Sequence, residues 1–153
     1  MSTTAQPPEP HIPSAGPAEN EDEVTATATC FCGAPTQGPG LVNTFLCHCK
    51  DCHKITASMF SSCFTIANSH LKHIRGRENL RTFQRSHTIA SGHTVTNNFC
   101  ATCGSLMYRV SSGHPGISVL RIGTVDDFHL HESKLRPQVE VFTQSRVSWL
   151  HSL

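Results

Sequence analysis

The sequence predicts an all-β domain, and three observations support this. Short runs rich in Val, Thr, Phe and Ile alternate with Gly, Pro, Asn or Ser turns. The 153 residues include 10 glycines and 9 prolines, and only 15% of them are charged, which disfavours long amphipathic helices. The sequence also contains no run of apolar residues as long as the ~18 that a membrane-spanning helix needs, so we expect no membrane association.

Eight segments have this strand-like composition and are separated by turn residues. The predicted strands are Thr25–Cys30, Val42–Cys47, Phe60–Ile66, Asn79–Arg85, Thr94–Phe99, Ser105–Val110, Gly116–Ile122 and Val139–Gln144. A short helical turn is expected at His53–Ala57. Asp126 and Asp127 are expected to cap a turn, with a catalytic carboxylate pair as the alternative. Trp149, the only tryptophan, is expected to anchor the C-terminal segment on the core, because aromatic side chains bury large areas.

The first 24 residues differ in composition from the rest of the chain. They hold five of the prolines and five of the 11 acidic residues, which is typical of a disordered tail. This tail is expected to be a passive leader, with an interaction segment as the alternative. It shows neither the basic start and apolar run of a secretory signal nor the arginines of a transit peptide. We therefore predict a tail at 1–24, a folded domain at 25–153 and a cytoplasmic location, with the nucleus left open.

Cysteine and histidine are frequent, at 8 and 11 residues. Close cysteine pairs suit two thiolates that bind one ion, and a chain without a secretory signal is expected to keep its thiols reduced. Metal binding is therefore favoured over disulfides. Zinc is the expected metal, with an iron–sulfur cluster as the competitor. The cysteines are spaced as Cys30-x-Cys32, Cys47-x-Cys49-x-x-Cys52, Cys63 and Cys100-x-x-Cys103.

Two of the short pairs together supply the four ligands of a closed, structural zinc site. Its predicted ligands are Cys30, Cys32, Cys100 and Cys103. Each pair follows a predicted strand, so the ion would join two points about 70 residues apart. Gly33 and Gly104 follow the two pairs, and glycine permits turns in which backbone N–H groups point at the sulfurs.

The remaining group, Cys47, Cys49 and Cys52, lies on one short segment. Three protein ligands with a fourth position left open is the pattern of catalytic zinc. The alternative is a closed site, with His48, His53 or another histidine as the fourth ligand. The same segment offers three candidates for a general acid or base, and the sequence does not choose among them. They are His48, Asp51 and His53. Cys63 has no neighbouring cysteine and is expected to be a buried core thiol.

The charge of the predicted domain is mildly positive. Residues 25–153 contain all 12 basic residues and six acidic ones, a formal charge of +6. Seven thiolates and two Zn²⁺ would lower it to about +3. This charge suits a small anionic ligand such as a carboxylate-bearing peptide and does not favour nucleic acid. The cluster of Arg75, Arg77, Arg81 and Arg85 is either a solvated face or a contact for an anionic ligand or nucleic acid.

The cysteine motifs resemble those of the glutathione-dependent formaldehyde-activating enzyme family, which also includes centromere protein V. The motifs are T-C-F-C-G (29–33), C-H-C-K-D-C-H-K-I-T-A-S (47–58) and N-F-C-A-T-C-G-S-L-M-Y (98–108). The later segments I-G-T-V-D-D (122–127) and R-P-Q-V-E-V-F-T-Q-S-R-V-S-W-L (136–150) resemble it too. The resemblance covers about residues 25–151. Ser148 stands where the family leads us to expect proline.

This resemblance implies a β-tent fold and two zinc ions in each chain. One ion would be structural, on the four paired cysteines. The other would be held by Cys47, Cys49 and Cys52 and open to a thiol ligand. The implied activity is that of a carbon–sulfur lyase acting on glutathione or a related thiol adduct, as in S-hydroxymethylglutathione synthesis. The alternatives are a carbon–sulfur lyase or dehydratase of a small-molecule biosynthetic pathway, and a non-catalytic, zinc-stabilised binding module.

Overall fold

The computed structural model describes residues 27–30, 35–37, 40–86 and 92–151. The strands in these ranges are β1 (Thr27–Thr29), β2 (Pro35–Gln37), β3 (Leu41–Cys47), β4 (Ser61–Ala67), β5 (Lys72–His73), β6 (Leu80–Arg85), β7 (Val95–Cys100), β8 (Leu106–Ser111), β9 (Ile117–Arg121) and β10 (Val139–Val141). The α-helices are α1 (Lys50–Thr56) and α2 (Phe128–Glu132). The all-β prediction is confirmed. The predicted tail, 1–24, lies outside the described residues, and the domain boundaries stay a prediction.

Every predicted strand has a counterpart in the structure. The last of them is shorter than predicted, because Phe142 takes a left-handed conformation with φ 59° and a 3₁₀ turn follows at Thr143–Ser145. The helical turn predicted at His53–Ala57 begins earlier, at Lys50. Strands β2 and β5 and helix α2 were not predicted from the sequence.

Of the two aspartates predicted to cap a turn, the structure confirms this role for Asp127. Asp127 is the N-cap of α2, where its carboxylate accepts a hydrogen bond from the backbone N–H of His129 at 2.9 Å. The neighbouring Asp126 accepts a hydrogen bond from the hydroxyl of Thr29. Both carboxylates therefore have structural partners.

The strands form two sheets. The larger sheet has the order β10-β3-β4-β9-β8-β7-β6, and the smaller has the order β1-β2-β5. All neighbours in the larger sheet are antiparallel except β10, which pairs in parallel with β3. Ala28 of β1 forms an isolated antiparallel bridge with Val125, which follows β9 in the chain. Among the described helices, none is long and apolar enough to span a membrane.

The larger sheet has two different faces, because side chains alternate along each strand and directly opposed residues share a face. The core face is apolar and carries Phe64 and Leu120, which are opposed in β4 and β9. It packs against Ala28, Val125, Leu130 and Leu135, which come from β1, from the turn before α2, and from α2 and its end. On the second face, which we call the cleft face, Phe45, Cys63 and Arg121 are opposed in β3, β4 and β9. Helix α1 packs over this face, since Cys52 contacts the side of the sheet that holds Phe45 and Cys63.

The prediction that Trp149 anchors the C-terminal segment on the core is wrong, because its side chain is 67% exposed. The core face is already covered by residues of β1 and α2. The C-terminal segment is instead tied to β10 by an ion pair, in which the guanidinium of Arg146 lies 2.7 Å from the carboxylate of Glu140.

Candidate metal centres and the adjoining cleft

The structure brings the cysteines together in two separate clusters. Within each cluster all the sulfur atoms lie within 4.8 Å of one another. Tetrahedral zinc with Zn–S bonds of about 2.3 Å would place its sulfurs about 3.8 Å apart, so both spacings fit such an ion. None of the seven described cysteines is in a disulfide. The clusters are Cys30, Cys100 and Cys103, and Cys47, Cys49 and Cys52.

The first cluster, which we call the split cluster, joins distant parts of the chain. Cys30 follows β1 of the smaller sheet, whereas Cys100 ends β7 of the larger sheet. The turn to Cys103 closes through a hydrogen bond from the N–H of Gly104 to the carbonyl of Cys100 at 2.9 Å, and Gly104 has φ 75°. This positive φ explains the glycine. The fourth predicted ligand, Cys32, lies outside the described residues, as does Gly33.

Polar groups surround the sulfurs of the split cluster. The side-chain amide of Asn79 donates to the sulfur of Cys100 at 3.3 Å and to the hydroxyl of Thr102 at 2.8 Å. The hydroxyl of Ser105 lies 3.3 Å from the sulfur of Cys103. Hydrogen bonds of this kind orient metal ligands and stabilise thiolates.

The second cluster, which we call the loop cluster, has its three cysteines within a segment of six consecutive residues. Cys47 ends β3, Cys49 is the N-cap of α1, and Cys52 lies in the first turn of that helix. The sulfur of Cys49 accepts a hydrogen bond from the backbone N–H of Cys52 at 3.3 Å. The helix starts at Lys50 because this cysteine caps it, and it ends where Ala57 adopts the left-handed conformation with φ 52°.

The three thiols of the loop cluster share their protons unequally in the absence of an ion. The pKa of Cys49 falls well below its ordinary 9.0, because hydrogen bonds from Cys47 and Cys52 stabilise its thiolate, and the charge of Arg109 adds to this. The pKa of Cys52 is raised by its hydrogen bonds to Cys47 and Cys49 and by burial. The pKa of Cys47 is also raised, chiefly by its hydrogen bond to Cys49. These directions favour a thiolate on Cys49 over one on Cys47 or Cys52.

Histidine does not complete the loop cluster among the residues that the structure describes. The ring of His48 is fully buried and packs against Phe60, with the ring centroids 6.2 Å apart. Its Nε2 lies 3.2 Å from a carboxylate oxygen of Glu140, close enough for an ion pair although not aligned as a hydrogen bond. The backbone N–H of His48 donates to the carbonyl of Val141 at 3.0 Å. His48 therefore connects the loop to β10.

A cleft of about 200 Å³ lies between α1 and the cleft face of the larger sheet. Its lining residues are Asp51, Cys52, Lys54, Ile55, Phe83, Arg85, Val95, Asn97, Arg109 and Arg121. The register explains how distant residues meet there, since Asn97 is opposed to both Phe83 and Arg109. Because Cys52 belongs to the lining, the cleft adjoins the loop cluster. Among the described residues of the lining, four carry a positive charge and one carries a negative charge.

Sequence reasoning missed two of these cationic residues, Arg109 and Arg121. The signal for Arg121 is present, because a lone arginine ends the apolar strand Ile117–Arg121. The structure also divides the predicted arginine cluster. Arg85 lines the cleft, whereas Arg75 and Arg81 are exposed. Cys63 is fully buried, as predicted, and it also contacts Arg121.

Comparisons with known proteins agree with this architecture. The model of the family described as "glutathione-dependent formaldehyde-activating enzyme" matches residues 25–145. The crystal structure of a Rhodobacter sphaeroides protein matches with a TM-score of 0.56 and 22% sequence identity, over 74% of this chain and 98% of that chain. At this identity the likeness shows the fold alone. A comparison with curated proteins gave no match. Since the family model covers most of its length, the chain belongs to the glutathione-dependent formaldehyde-activating enzyme family.

Proposed function

We propose that this chain is a zinc-dependent enzyme of the carbon–sulfur lyase type, acting on glutathione or a related thiol adduct. In the synthetic direction the thiol adds to an aldehyde. A carbon–sulfur bond forms and the thiol proton ends on the aldehyde oxygen, so no net oxidation occurs. The reverse reaction breaks the same bond. The observation that carries this proposal is the loop cluster, in which three converging sulfurs adjoin a cleft.

The residues of the loop cluster fit a zinc ion that is open to a further ligand. The sulfurs of Cys47, Cys49 and Cys52 would hold the ion, and the described residues bring no fourth side-chain ligand within the same distance. A zinc ion on three thiolates would lower the pKa of a substrate thiol and so keep it ionised near neutral pH. The helix cap and the strand end hold the three sulfurs in place before any ligand arrives.

The split cluster supports a structural role for the other ion. Cys30, Cys100 and Cys103, with Cys32 as the proposed fourth ligand, would tie the two sheets together. No lining residue of the cleft comes from this cluster. We therefore assign chemistry to the loop cluster and stability to the split cluster, with two zinc ions in each chain.

Proton transfer to or from the substrate needs a further group. Of the three candidates on the loop segment, Asp51 lines the cleft, whereas the ring of His48 is directed to Glu140. The ring of His53 has a buried Nε2 and is absent from the cleft lining. Asp51 is therefore the residue that we propose as general acid or base.

Cobalt substitution tests the open position directly. The protein is loaded with two equivalents of Co²⁺, and the thiolate-to-cobalt absorption band is recorded while glutathione is added. Because each new sulfur ligand strengthens this band, we expect it to grow and saturate. S-methylglutathione is the matched control, since its sulfur carries no proton to lose, and it should leave the band unchanged. A band that stays constant with glutathione would contradict the proposal.

A further inference from the structure

The guanidinium of Arg121 is buried on the cleft face without an acidic partner among the described residues. The residue is 6% exposed. Its Nη1 donates to the hydroxyl of Ser61 at 2.7 Å and to the sulfur of Cys63 at 2.8 Å. Its Nε and Nη2 are buried and have no hydrogen-bond partner in the described part of the chain. A buried cation with two unused donors is costly unless an anion pairs with it.

The side chain that carries these donors borders the cleft beside the loop cluster. Arg121 lines this cleft together with Cys52, and Arg85 and Arg109 add positive charge. The Nε of Arg85 is likewise buried without a partner in the described residues. Asp51 is the one acidic side chain among the lining residues, and it comes from α1 on the opposite wall. The electrostatic field therefore favours an anionic ligand.

The position and size of the cleft limit what that ligand can be. Ser61, which accepts from Arg121, is opposed to Cys47 in the register of β3 and β4, so the guanidinium lies near the loop cluster. A volume of about 200 Å³ is below the ~300–1,000 Å³ of sites that enclose a whole drug-sized ligand. The cleft therefore encloses a small anionic fragment close to the reacting sulfur. A planar guanidinium fork matches a carboxylate.

We propose that this cleft is a carboxylate subsite and that the substrate of the loop cluster is a thiol, or a thiol adduct, with a carboxylate one or two carbons from the sulfur. This inference rests on the proposed function and narrows its substrate class. Formaldehyde has no carboxylate, and those of glutathione lie several bonds from its sulfur. A mercapto acid, or the adduct of a thiol with a 2-oxo acid, meets the requirement.

The test compares a charged thiol with its neutral isostere on the zinc-loaded, full-length protein. Calorimetric titration with mercaptoacetate and with mercaptoacetamide gives the ratio of the two affinities. We expect mercaptoacetate to bind at least about tenfold more tightly, because charge-assisted hydrogen bonds with Arg121 form only with the acid. In Arg121→Gln we expect this ratio to fall below about two, because the charge-assisted hydrogen bonds that favour the acid are lost.

Two further variants serve as a control for the loss of charge and as a substitute for Arg121→Gln. Arg81→Gln removes the same charge from an exposed arginine on β6, whose guanidinium donates to backbone carbonyls, and it should keep the wild-type ratio. Arg109→Gln should lower the ratio and replaces Arg121→Gln if that variant fails to fold, as judged by its melting curve. An equal affinity for acid and amide in the wild type, or a ratio that survives in a folded cleft variant, would overturn the inference.

Further titrations show whether the carboxylate belongs to the thiol or to the carbonyl compound. They also distinguish failure of the carboxylate subsite from failure of the proposed function. If the carboxylate belongs to the carbonyl compound, glyoxylate but not formaldehyde should strengthen the binding of glutathione. If it belongs to the thiol, mercaptoacetate should bind tightly without any carbonyl compound.

If neither glutathione nor mercaptoacetate binds, this result contradicts the proposed function. The cleft is then tested with acetate, which should shift the ¹H–¹⁵N signal of the Arg121 Nε group. The absence of that shift would overturn the inference as well.

Discussion

The two cysteine clusters use the same ligand atoms in different settings. The split cluster gathers Cys30 and Cys100 from two sheets, and the amide of Asn79 satisfies one of its sulfurs. The loop cluster takes its sulfurs from a strand end and a helix start, and Cys52 lines a cationic cleft. Ligands that are distant in sequence suit an ion that holds the fold together, whereas ligands on one loop leave a side open to solvent and substrate.

Cys100→Ser should have the largest effect on the free energy of unfolding. It removes a sulfur of the split cluster, through which the proposed zinc ion would link the two sheets, so the protein should bind one zinc ion fewer and lose more than about 4 kcal/mol of stability. Metal analysis and thermal unfolding measure both effects. Cys63→Ser, at a buried cysteine outside both clusters, is the control and should retain two ions. A Cys100→Ser variant with the melting temperature of the wild type would contradict the structural role assigned to the split cluster.

Cys49→Ser should separate activity from folding. Serine is also a good N-cap, so α1 should persist, and the loss of stability should stay below about 1.5 kcal/mol. Activity on thiol adducts should fall by at least about 100-fold, because a proposed zinc ligand is missing. The measurements are an adduct-forming assay and the melting temperature of the same sample. Full activity in this variant would contradict the assignment of the chemistry to the loop cluster.

The unequal sharing of protons predicts selective alkylation of the metal-stripped protein. Because its pKa is lowered, Cys49 is a thiolate down to acidic pH, whereas the raised pKa values keep Cys47 and Cys52 protonated. Iodoacetamide should therefore label Cys49 before these two neighbours, at a rate that changes little between about pH 8 and pH 5. Peptide mass spectrometry measures the labelling, and zinc should protect the site. Labelling of Cys49 that falls about tenfold per pH unit would refute the shift.

Asn79→Ala should have a smaller effect on the split cluster than loss of a ligand. The variant removes the hydrogen bond to the sulfur of Cys100 but leaves every described cysteine in place. Zinc affinity, measured by competition with a chelator, should fall by about 10- to 100-fold. Thr102→Ala removes the other partner of the same amide and is the control, with a smaller loss expected. Equal losses in both variants would indicate a general disturbance of the turn.

Local sequence patterns were sufficient to predict most of the strands and the loop cluster. The spacing of Cys47, Cys49 and Cys52 keeps three sulfurs near one another in almost any turn. The start of α1 at Lys50 was missed, because a cysteine acts there as the helix cap. Strand β5, at Lys72–His73, is too short to leave a periodic signal and forms because β2 pairs with it.

Long-range partners explain what the sequence did not reveal. The role of Arg121 depends on Ser61, which lies opposite Cys47 only once β3, β4 and β9 are in register. The exposure of Trp149 follows from the way α2 and β1 cover the core face. Neither result is encoded within a short window of residues.

The pairing of β10 with β3 has a consequence for biosynthesis. During translation the loop that carries His48 leaves the ribosome long before Glu140, whose carboxylate lies 3.2 Å from the His48 ring, has been made. At ~5–20 residues per second the nascent loop waits several seconds without the strand that covers it. Zinc capture at the loop cluster could thus precede closure of the larger sheet.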